Sequence, residues 1–201
     1  RGHAGNPGNQ RADRLATQAL KKLRRSGKGA HEDTARHQDS EQQNPLAVEL
    51  PHVEIVARAC ALGNPGPAGY GAVVRTESGD PVTISGAWPK ATNNVMELWA
   101  VIAGLRTLPD PCQVLIKTGS KYVLDGAQHW LAGWERRGWR TSSGKPVKHK
   151  ELWQELANLM GDHDMQWQYL DSAGEELGQR AYAAARREAE QEAAKRGDQT
   201  S

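Results

Sequence analysis

The chain has 201 residues, which is enough for one domain of ordinary size with flanking segments. Hydrophobic residues make up 37% and charged residues 25% of the chain, so we expect polar, disordered segments beside a folded core. No apolar run approaches the roughly 18 residues that span a membrane, which argues against a membrane protein.

Residues 1–46 divide into a helical segment and a linker. Apolar residues recur at helical spacing between Ala12 and Leu23. The segment that follows has few large aliphatic side chains and cannot offset its ordering entropy. We therefore predict a disordered linker at residues 24–46, a folded domain at residues 47–194 and a disordered tail at residues 195–201. Because the chain opens with Arg1 instead of Met, we expect it to be a fragment of a longer protein.

The folded domain shows an alternation of strand and helix patterns. Strands are predicted at residues 52–57, 70–75, 81–88, 113–117 and 165–170, and helices at residues 93–108, 121–134, 149–160 and 175–196. The resulting order is βββ-α-β-α-α-β-α. This order favours an α/β fold in which helices flank a mixed five-stranded sheet.

The net charge is only +2, but its distribution is uneven. Residues 134–150, here called the basic loop, contain one acid, Glu135, and six cations: Arg136, Arg137, Arg140, Lys145, Lys148 and Lys150. Such clustering predicts a local basic surface on a nearly neutral protein.

The two cysteines, Cys60 and Cys112, lie in apolar surroundings without metal-ligand spacing. This pattern is typical of core thiols in a reducing compartment. With no signal peptide at the start of the chain, it predicts a cytoplasmic protein.

Three stretches resemble type 1 ribonuclease H. The first is VEI at residues 53–55 followed by LGNPGPAGYGA at residues 62–72, and the second is TNNVMEL at residues 92–98. The third is WLAGWERRGW at residues 130–139, which continues through KPVK at residues 145–148 to Trp153. All three occur in the family's order and at its separations. The resemblance implies the ribonuclease H fold and an endonuclease that acts on RNA–DNA hybrids.

In that family, four carboxylates hold two Mg²⁺ or Mn²⁺ ions, which activate water and stabilise the leaving oxygen of the RNA phosphodiester. At the four acid positions this chain has Arg58, expected directly after the first strand, and then Glu97, Gly119 and Tyr182. The family's catalytic histidine loop, Gly-His-Ala-Gly, is replaced by Asp171-Ser172-Ala173-Gly174. Glu97 is thus the sole retained acid of this copy.

A guanidinium at position 58 opposes metal binding directly. At about 4 Å from a divalent ion, the repulsion is several kcal/mol even with an effective dielectric constant of roughly 20. We therefore expect no complete metal site and no hydrolysis by this chain alone, although the family implies Mg²⁺ or Mn²⁺.

The start of the chain resembles the end of an intact ribonuclease H. Gly2-His3-Ala4-Gly5, Asn9 and Asp13 match the histidine loop, the asparagine and the fourth acid. The match predicts a tandem protein in which residues 1–23 are the C-terminal remnant of an upstream copy, with His3 as its loop histidine and Asp13 as a metal ligand. Two alternatives stay open: Asp13 is a helix cap, or this helix packs on the second copy beside Glu97.

The resemblance also implies a nucleic-acid interface. Asn64, Thr92, Asn93 and Asn94 match positions that contact RNA 2′-hydroxyls or the backbone in the family, and amides suit a 2′-hydroxyl that both donates and accepts. Equally, these are turn and helix-cap residues. The basic loop resembles the family's basic protrusion, which grips the DNA strand. Alternatively it is a solvated charged face over core tryptophans, among which we place Trp130 and Trp153.

Two function classes therefore compete. In the first, this copy is a pseudo-nuclease that binds RNA–DNA hybrids, while the upstream copy of the full-length protein hydrolyses RNA by two-metal catalysis. In the second, it is a structural domain that supports its partner copy without binding nucleic acid. An active enzyme within this chain would need metal ligands that cannot be assigned.

Overall fold

The computed structural model describes residues 50–108, 111–161, 163–171 and 175–197. Its strands are β1 (His52–Ala61), β2 (Gly66–Thr76), β3 (Val82–Ala91), β4 (Gln113–Thr118) and β5 (Asp164–Tyr169). Its helices are α1 (Asn93–Leu105), α2 (Lys121–Asp125), a π-helical segment (Gly126–Trp130), α3 (Leu131–Arg136), α4 (Lys150–Met160) and α5 (Glu176–Gly197).

The five strands form one mixed sheet in the order β3-β2-β1-β4-β5. β1 pairs antiparallel with β2, and β2 with β3, whereas β4 runs parallel to both β1 and β5. The predicted fold class and element order are thereby confirmed.

Two helices cover the sheet in different ways. α1 contributes Leu98, Val101 and Ile102 to the main core, where they pack with Ile55 of β1 and with residues of β4 and α4. α5 buries alanines, and it approaches β2 so closely that a Cβ on Gly71 would lie 2.1 Å from the carbonyl oxygen of Ala181. This close approach needs glycine on the strand.

The first strand differs from the prediction. It continues to Ala61, so Arg58 lies inside β1, opposite Gly71 of β2, and does not follow the strand. The small residues around Arg58 give no hydrophobic alternation. They form a strand nonetheless, because each of them pairs with a residue of β2, whose glycines let α5 cover this part of the sheet.

The helix predicted at residues 121–134 is also interrupted. Gly126 begins the π-helical segment, and a Cβ on it would lie 2.1 Å from the Trp153 ring. The indole of Trp153 is fully buried and donates a hydrogen bond to the Tyr122 hydroxyl at 3.0 Å. Ring packing against a glycine therefore accompanies the change of helical pitch.

The remaining predictions agree with the structure, differ from it in bounds, or lie outside the described residues. Cys60 and Cys112 are buried free thiols, as expected. α5 continues to Gly197, beyond the predicted start of the tail at residue 195. The remnant at residues 1–23 and the linker at residues 24–46 lie outside the described residues. Among the helices that are described, none has the length and apolar character needed to cross a membrane.

Candidate nucleic-acid interface

The register of the sheet brings two of the four acid positions together. Pairing between β1 and β4 ends at Ala57 and Thr118, so Arg58 and Gly119 are the next residues of two neighbouring parallel strands. A Cβ on Gly119 would lie 2.9 Å from Nη1 and 3.1 Å from Cζ of Arg58. The guanidinium therefore occupies the space into which a side chain at position 119 would project.

Glu97 of α1 reaches the same region from the helix side of the sheet. Its Oε1 accepts a hydrogen bond from the backbone N–H of Ala59 at 3.1 Å, and its Oε2 accepts one from the Thr118 hydroxyl at 3.0 Å. Burial raises the pKa of Glu97 to about 7, although both hydrogen bonds and the charge of Arg58 lower it.

Tyr182 of α5 completes the group. The Cζ atom of Arg58 lies 5.7 Å from the centre of the Tyr182 ring, which is within the range of a cation–π contact. The side chain is 40% exposed, and the pKa of its hydroxyl is raised, mainly because Cys60 lies beside it. Arg58 thus lies beside Gly119, Glu97 and Tyr182, the three other acid positions.

The residues at this site do not fit a pair of divalent ions. Hard cations need several oxygen ligands, but the only carboxylate at the four positions is Glu97, whose oxygens both accept protein hydrogen bonds. Within the described ranges, no group of three or more His, Cys, Asp or Glu is arranged to hold a metal. His3 and Asp13 lie outside those ranges, as do Ser172, Ala173 and Gly174.

A cleft of about 310 Å³ opens in front of the guanidinium. One of its carboxylates, Glu175, is paired with Lys117 at 2.8 Å. The cleft is lined by Arg58, Leu170, Asp171, Glu175, Gly178, Gln179 and Tyr182. Residue patterns alone had not indicated this cleft, because Gln179 and Glu175 resemble ordinary surface residues of a helix start.

The amide residues gather where α1 begins. Asn64 Oδ1 accepts a hydrogen bond from the backbone N–H of Asn93 at 3.3 Å, and Asn94 Oδ1 accepts one from the Ser120 hydroxyl at 3.4 Å. Thr92 caps the helix, with its hydroxyl accepting from the N–H of Val95 at 3.4 Å. The cap role of Thr92 is therefore real, and contact of this cluster with a nucleic acid stays a prediction.

The cations predicted for binding lie on the surface of the basic loop. Arg136, Arg137, Arg140, Lys145 and Lys148 are all exposed. Arg137 donates to the carbonyl of Arg140 at 3.2 Å, and Arg140 donates to the carbonyl of Gly144 at 2.8 Å. Buried Val147 anchors the loop from inside. The loop therefore holds two of its guanidinium groups against its own backbone while leaving them exposed.

Core burial was predicted for two tryptophans near the loop, and the structure confirms it for one of them. Trp153 is buried as expected, whereas Trp130 is 38% exposed and is not a core residue. It lies at the edge of the aromatic cluster, with its ring centre 5.7 Å from that of Trp134. Trp130 is the last residue of the π-helical segment, which the sequence pattern did not predict.

A family model supplies the deciding comparison. The model described as RNase H matches residues 51–190, which is more than half of the chain. The chain belongs to the ribonuclease H family. Among curated ribonucleases H, that of Bordetella pertussis is 47% identical over 134 residues, covering 66% of this chain and 86% of the relative. That of an Escherichia coli strain is 43% identical over 121 residues, covering 60% and 77%.

Solved structures of ribonucleases H share the fold. LC9-RNase H1, described as a type 1 enzyme with the type 2 active-site motif, superposes with a TM-score of 0.64 at 30% identity, covering 72% of this chain and 75% of that one. LC11-RNase H1, solved in complex with an RNA/DNA hybrid, gives a TM-score of 0.52 at 23% identity over 69% and 97% of the two chains.

Proposed function

We propose that this ribonuclease H domain binds RNA–DNA hybrids and does not cleave them. The observation that carries the proposal is the guanidinium of Arg58 beside Gly119, in the place where family members hold metal-binding acids. Hydrolysis in the family depends on metal-bound water, and Glu97 alone cannot supply the ligands. Loss of those ligands leaves the rest of the surface free to bind.

Two features support binding. The amide cluster at the start of α1 presents Asn64, Thr92, Asn93 and Asn94 at the end of the sheet that also carries Arg58. The basic loop adds exposed cations that suit a polyanion. A relative of the same fold, LC11-RNase H1, has been solved with an RNA/DNA hybrid.

We further propose that the full-length protein is a cytoplasmic tandem ribonuclease H. Residues 1–23 support this arrangement by their resemblance to the end of a copy with intact His3 and Asp13. In that arrangement the upstream copy, with Mg²⁺ or Mn²⁺, would cleave RNA, and the domain at residues 47–194 would hold the hybrid for it.

The first prediction tests cleavage and binding together. We expect the 201-residue chain to bind a short labelled RNA–DNA hybrid, followed by fluorescence anisotropy, and to leave its RNA strand intact in Mg²⁺ or Mn²⁺, followed on a denaturing gel. Ribonuclease H from Bordetella pertussis serves as the positive control for cleavage. Turnover that disappears in the Glu97→Ala variant would contradict the proposal. An intact hybrid with no binding at low salt would favour the structural-domain alternative.

A further inference from the structure

The positive charge of Arg58 is not neutralised by the surrounding protein. The side chain is half-buried, yet no carboxylate in the described part of the chain forms an ion pair with it. Its Nε atom is buried and has no hydrogen-bond partner there. Leaving a buried donor unsatisfied costs free energy, unless a ligand supplies the acceptor.

The guanidinium is also accessible from one side. It faces the cleft of about 310 Å³, which is far larger than the space a single water needs. On one side, the absence of a side chain at Gly119 leaves space that the guanidinium fills, and on another side the Tyr182 ring covers it. The group is therefore held in place by neighbours that do not compete for its donors.

The other charges around the cleft weaken an anion site without cancelling it. Glu175 is engaged by Lys117, which donates to both of its carboxylate oxygens at 2.8 and 2.9 Å. Glu97 is buried on the other side of Arg58, with a pKa near neutrality. Asp171 also lines the cleft, and the charge of its carboxylate opposes an anion.

We propose that Arg58 binds a backbone phosphate of the hybrid directly, in the place where other members of the family use divalent ions. The inference rests on the proposed function, since it assumes that hybrid reaches this surface. A guanidinium suits this task, because its planar fork matches two phosphate oxygens and its charge does not depend on pH. Hybrid binding by this domain is then independent of divalent ions.

The competing explanation is that Arg58 is only an internal counter-ion for Glu97. The two explanations differ in what happens when the charge is removed. An internal counter-ion affects stability and the acidity of Glu97, but not the binding of nucleic acid. A phosphate ligand affects the affinity for hybrid and its dependence on salt.

The test compares wild type with Arg58→Gln and Arg58→Lys by anisotropy with an RNA–DNA hybrid of about one helical turn. For Arg58→Gln we expect about tenfold to hundredfold weaker binding and a log–log salt slope that is shallower by about one. Arg58→Lys keeps the slope but recovers only part of the affinity. Arg75→Gln on β2 is the matched control, and we expect wild-type binding from it. Wild-type affinity should be equal in EDTA and in Mg²⁺.

A phosphate scan locates the contact. Replacing single phosphates of the hybrid by uncharged methylphosphonates weakens wild-type binding at each contacted position. We expect one position at which the replacement costs affinity in wild type and costs nothing further in Arg58→Gln. Thermal unfolding of each variant shows whether it is folded, and Arg58→Met, which also removes the charge, replaces Arg58→Gln if the latter unfolds.

The possible outcomes separate the phosphate contact of Arg58 from hybrid binding as such. If wild type binds hybrid but Arg58→Gln binds equally well with the same slope, the phosphate contact is wrong and hybrid binding stands. If affinity falls but no phosphate is coupled to Arg58, the residue acts through the fold and the contact is again wrong. If wild type has no affinity for hybrid at low salt, both proposals fail.

Discussion

Glu97 is a carboxyl group held between α1 and the end of the parallel strands. Its pKa of about 7 lies above the ordinary value of 4.5, chiefly because it is buried. Between about pH 4.5 and pH 7, the Glu97 carboxyl therefore keeps its proton in the folded protein but has lost it in the unfolded chain. Stability from this group is complete below about pH 4.5 and is lost as the pH rises through 7.

The second prediction follows from the raised pKa of Glu97. We expect the wild-type free energy of unfolding to fall by about 3 kcal/mol between pH 4.5 and pH 8 because of Glu97. Glu97→Gln should remove this fall, since the amide keeps the size of the side chain and does not titrate. Urea denaturation across the pH range measures both proteins. Parallel curves for the two would show that folding does not raise the pKa of Glu97.

The third prediction concerns the replaced acids. Gly119→Asp alone should bind no Mn²⁺, because its side chain would meet the guanidinium of Arg58 and form an ion pair with it. Replacing Arg58, Gly119 and Tyr182 together by Asp should restore Mn²⁺ binding beside Glu97, measured by calorimetry. The same triple variant with Glu97→Gln is the control and should bind much more weakly. A folded triple variant that takes up no Mn²⁺ would show that these four positions do not form the metal site.

The residue pattern predicted which positions should meet, but not how they meet. Comparison with the ribonuclease H motifs indicated Arg58, Glu97, Gly119 and Tyr182. It could not show that the guanidinium lies against the Tyr182 ring, nor that it takes the space beside Gly119. Those contacts depend on the rotamer of a long side chain between elements far apart in the chain, and no local pattern encodes it.

At the scale of elements, the contact between β2 and α5 positions Tyr182 over Arg58. Gly69 and Gly71 let the helix backbone approach the strand, where a Cβ would lie 2.2 and 2.1 Å from the carbonyl oxygens of Ala185 and Ala181. Buried alanines on the helix complete the fit. Small residues on both surfaces thus set the height of α5 above the sheet.

The fourth prediction tests this contact. Gly71→Ala should destabilise the domain by about 1–3 kcal/mol, because backbone atoms of α5 must move to admit the methyl group. Gly161→Ala is the matched control, since the Cβ would meet nothing closer than 3.4 Å, and we expect a change within about 1 kcal/mol. Chemical denaturation compares the two. Equal stabilities would mean that α5 shifts without cost.

Periodicity predicted the existence and order of the elements well and their ends less well. The hairpin strand predicted at residues 81–88 spans residues 82–91 in the structure, and the buried strand predicted at residues 113–117 ends one residue later, at Thr118. The extension of β1 through Arg58 and the π-helical segment at Gly126 were missed. Both depend on partners far along the chain, namely the glycines of β2 and the ring of Trp153.

At the scale of the whole molecule, charge distribution matters more than the net charge of +2. The exposed cations of the basic loop are concentrated in one short segment, whereas other surface charges include ion pairs such as Arg186 with Glu190. A polyanion should therefore be drawn to the loop first, and the attraction should weaken with salt.

The fifth prediction measures this attraction. Engagement of three or four loop cations would give a log–log salt slope of about −3 to −4 for hybrid binding. Replacing Arg136, Arg137 and Arg140 by Ala should flatten the slope and leave the fold intact, since exposed charges contribute little to stability. The control removes the same charge elsewhere, at Arg75, Arg187 and Lys195. Equal flattening by both variants would show that the attraction is not localised in the loop.

The amide cluster provides the complementary measurement. Asn64→Ala or Asn93→Ala should reduce the preference for hybrid over DNA duplex while leaving the salt slope nearly unchanged, because amides release no counter-ions. Competition between the two duplexes at one salt concentration measures the preference. A slope that falls with the preference would show that these substitutions disturb the basic surface.

The pairing of Arg58 with Gly119 also constrains the evolutionary history of the domain. A mutation of Gly119 to aspartate meets the guanidinium first, so it yields a salt bridge and no metal ligand. A mutation of Arg58 to aspartate is out of reach of any single nucleotide change, because no arginine codon is one step from an aspartate codon. Aspartate at both positions therefore needs at least three nucleotide changes, and the first change in codon 58 supplies no acid at that position.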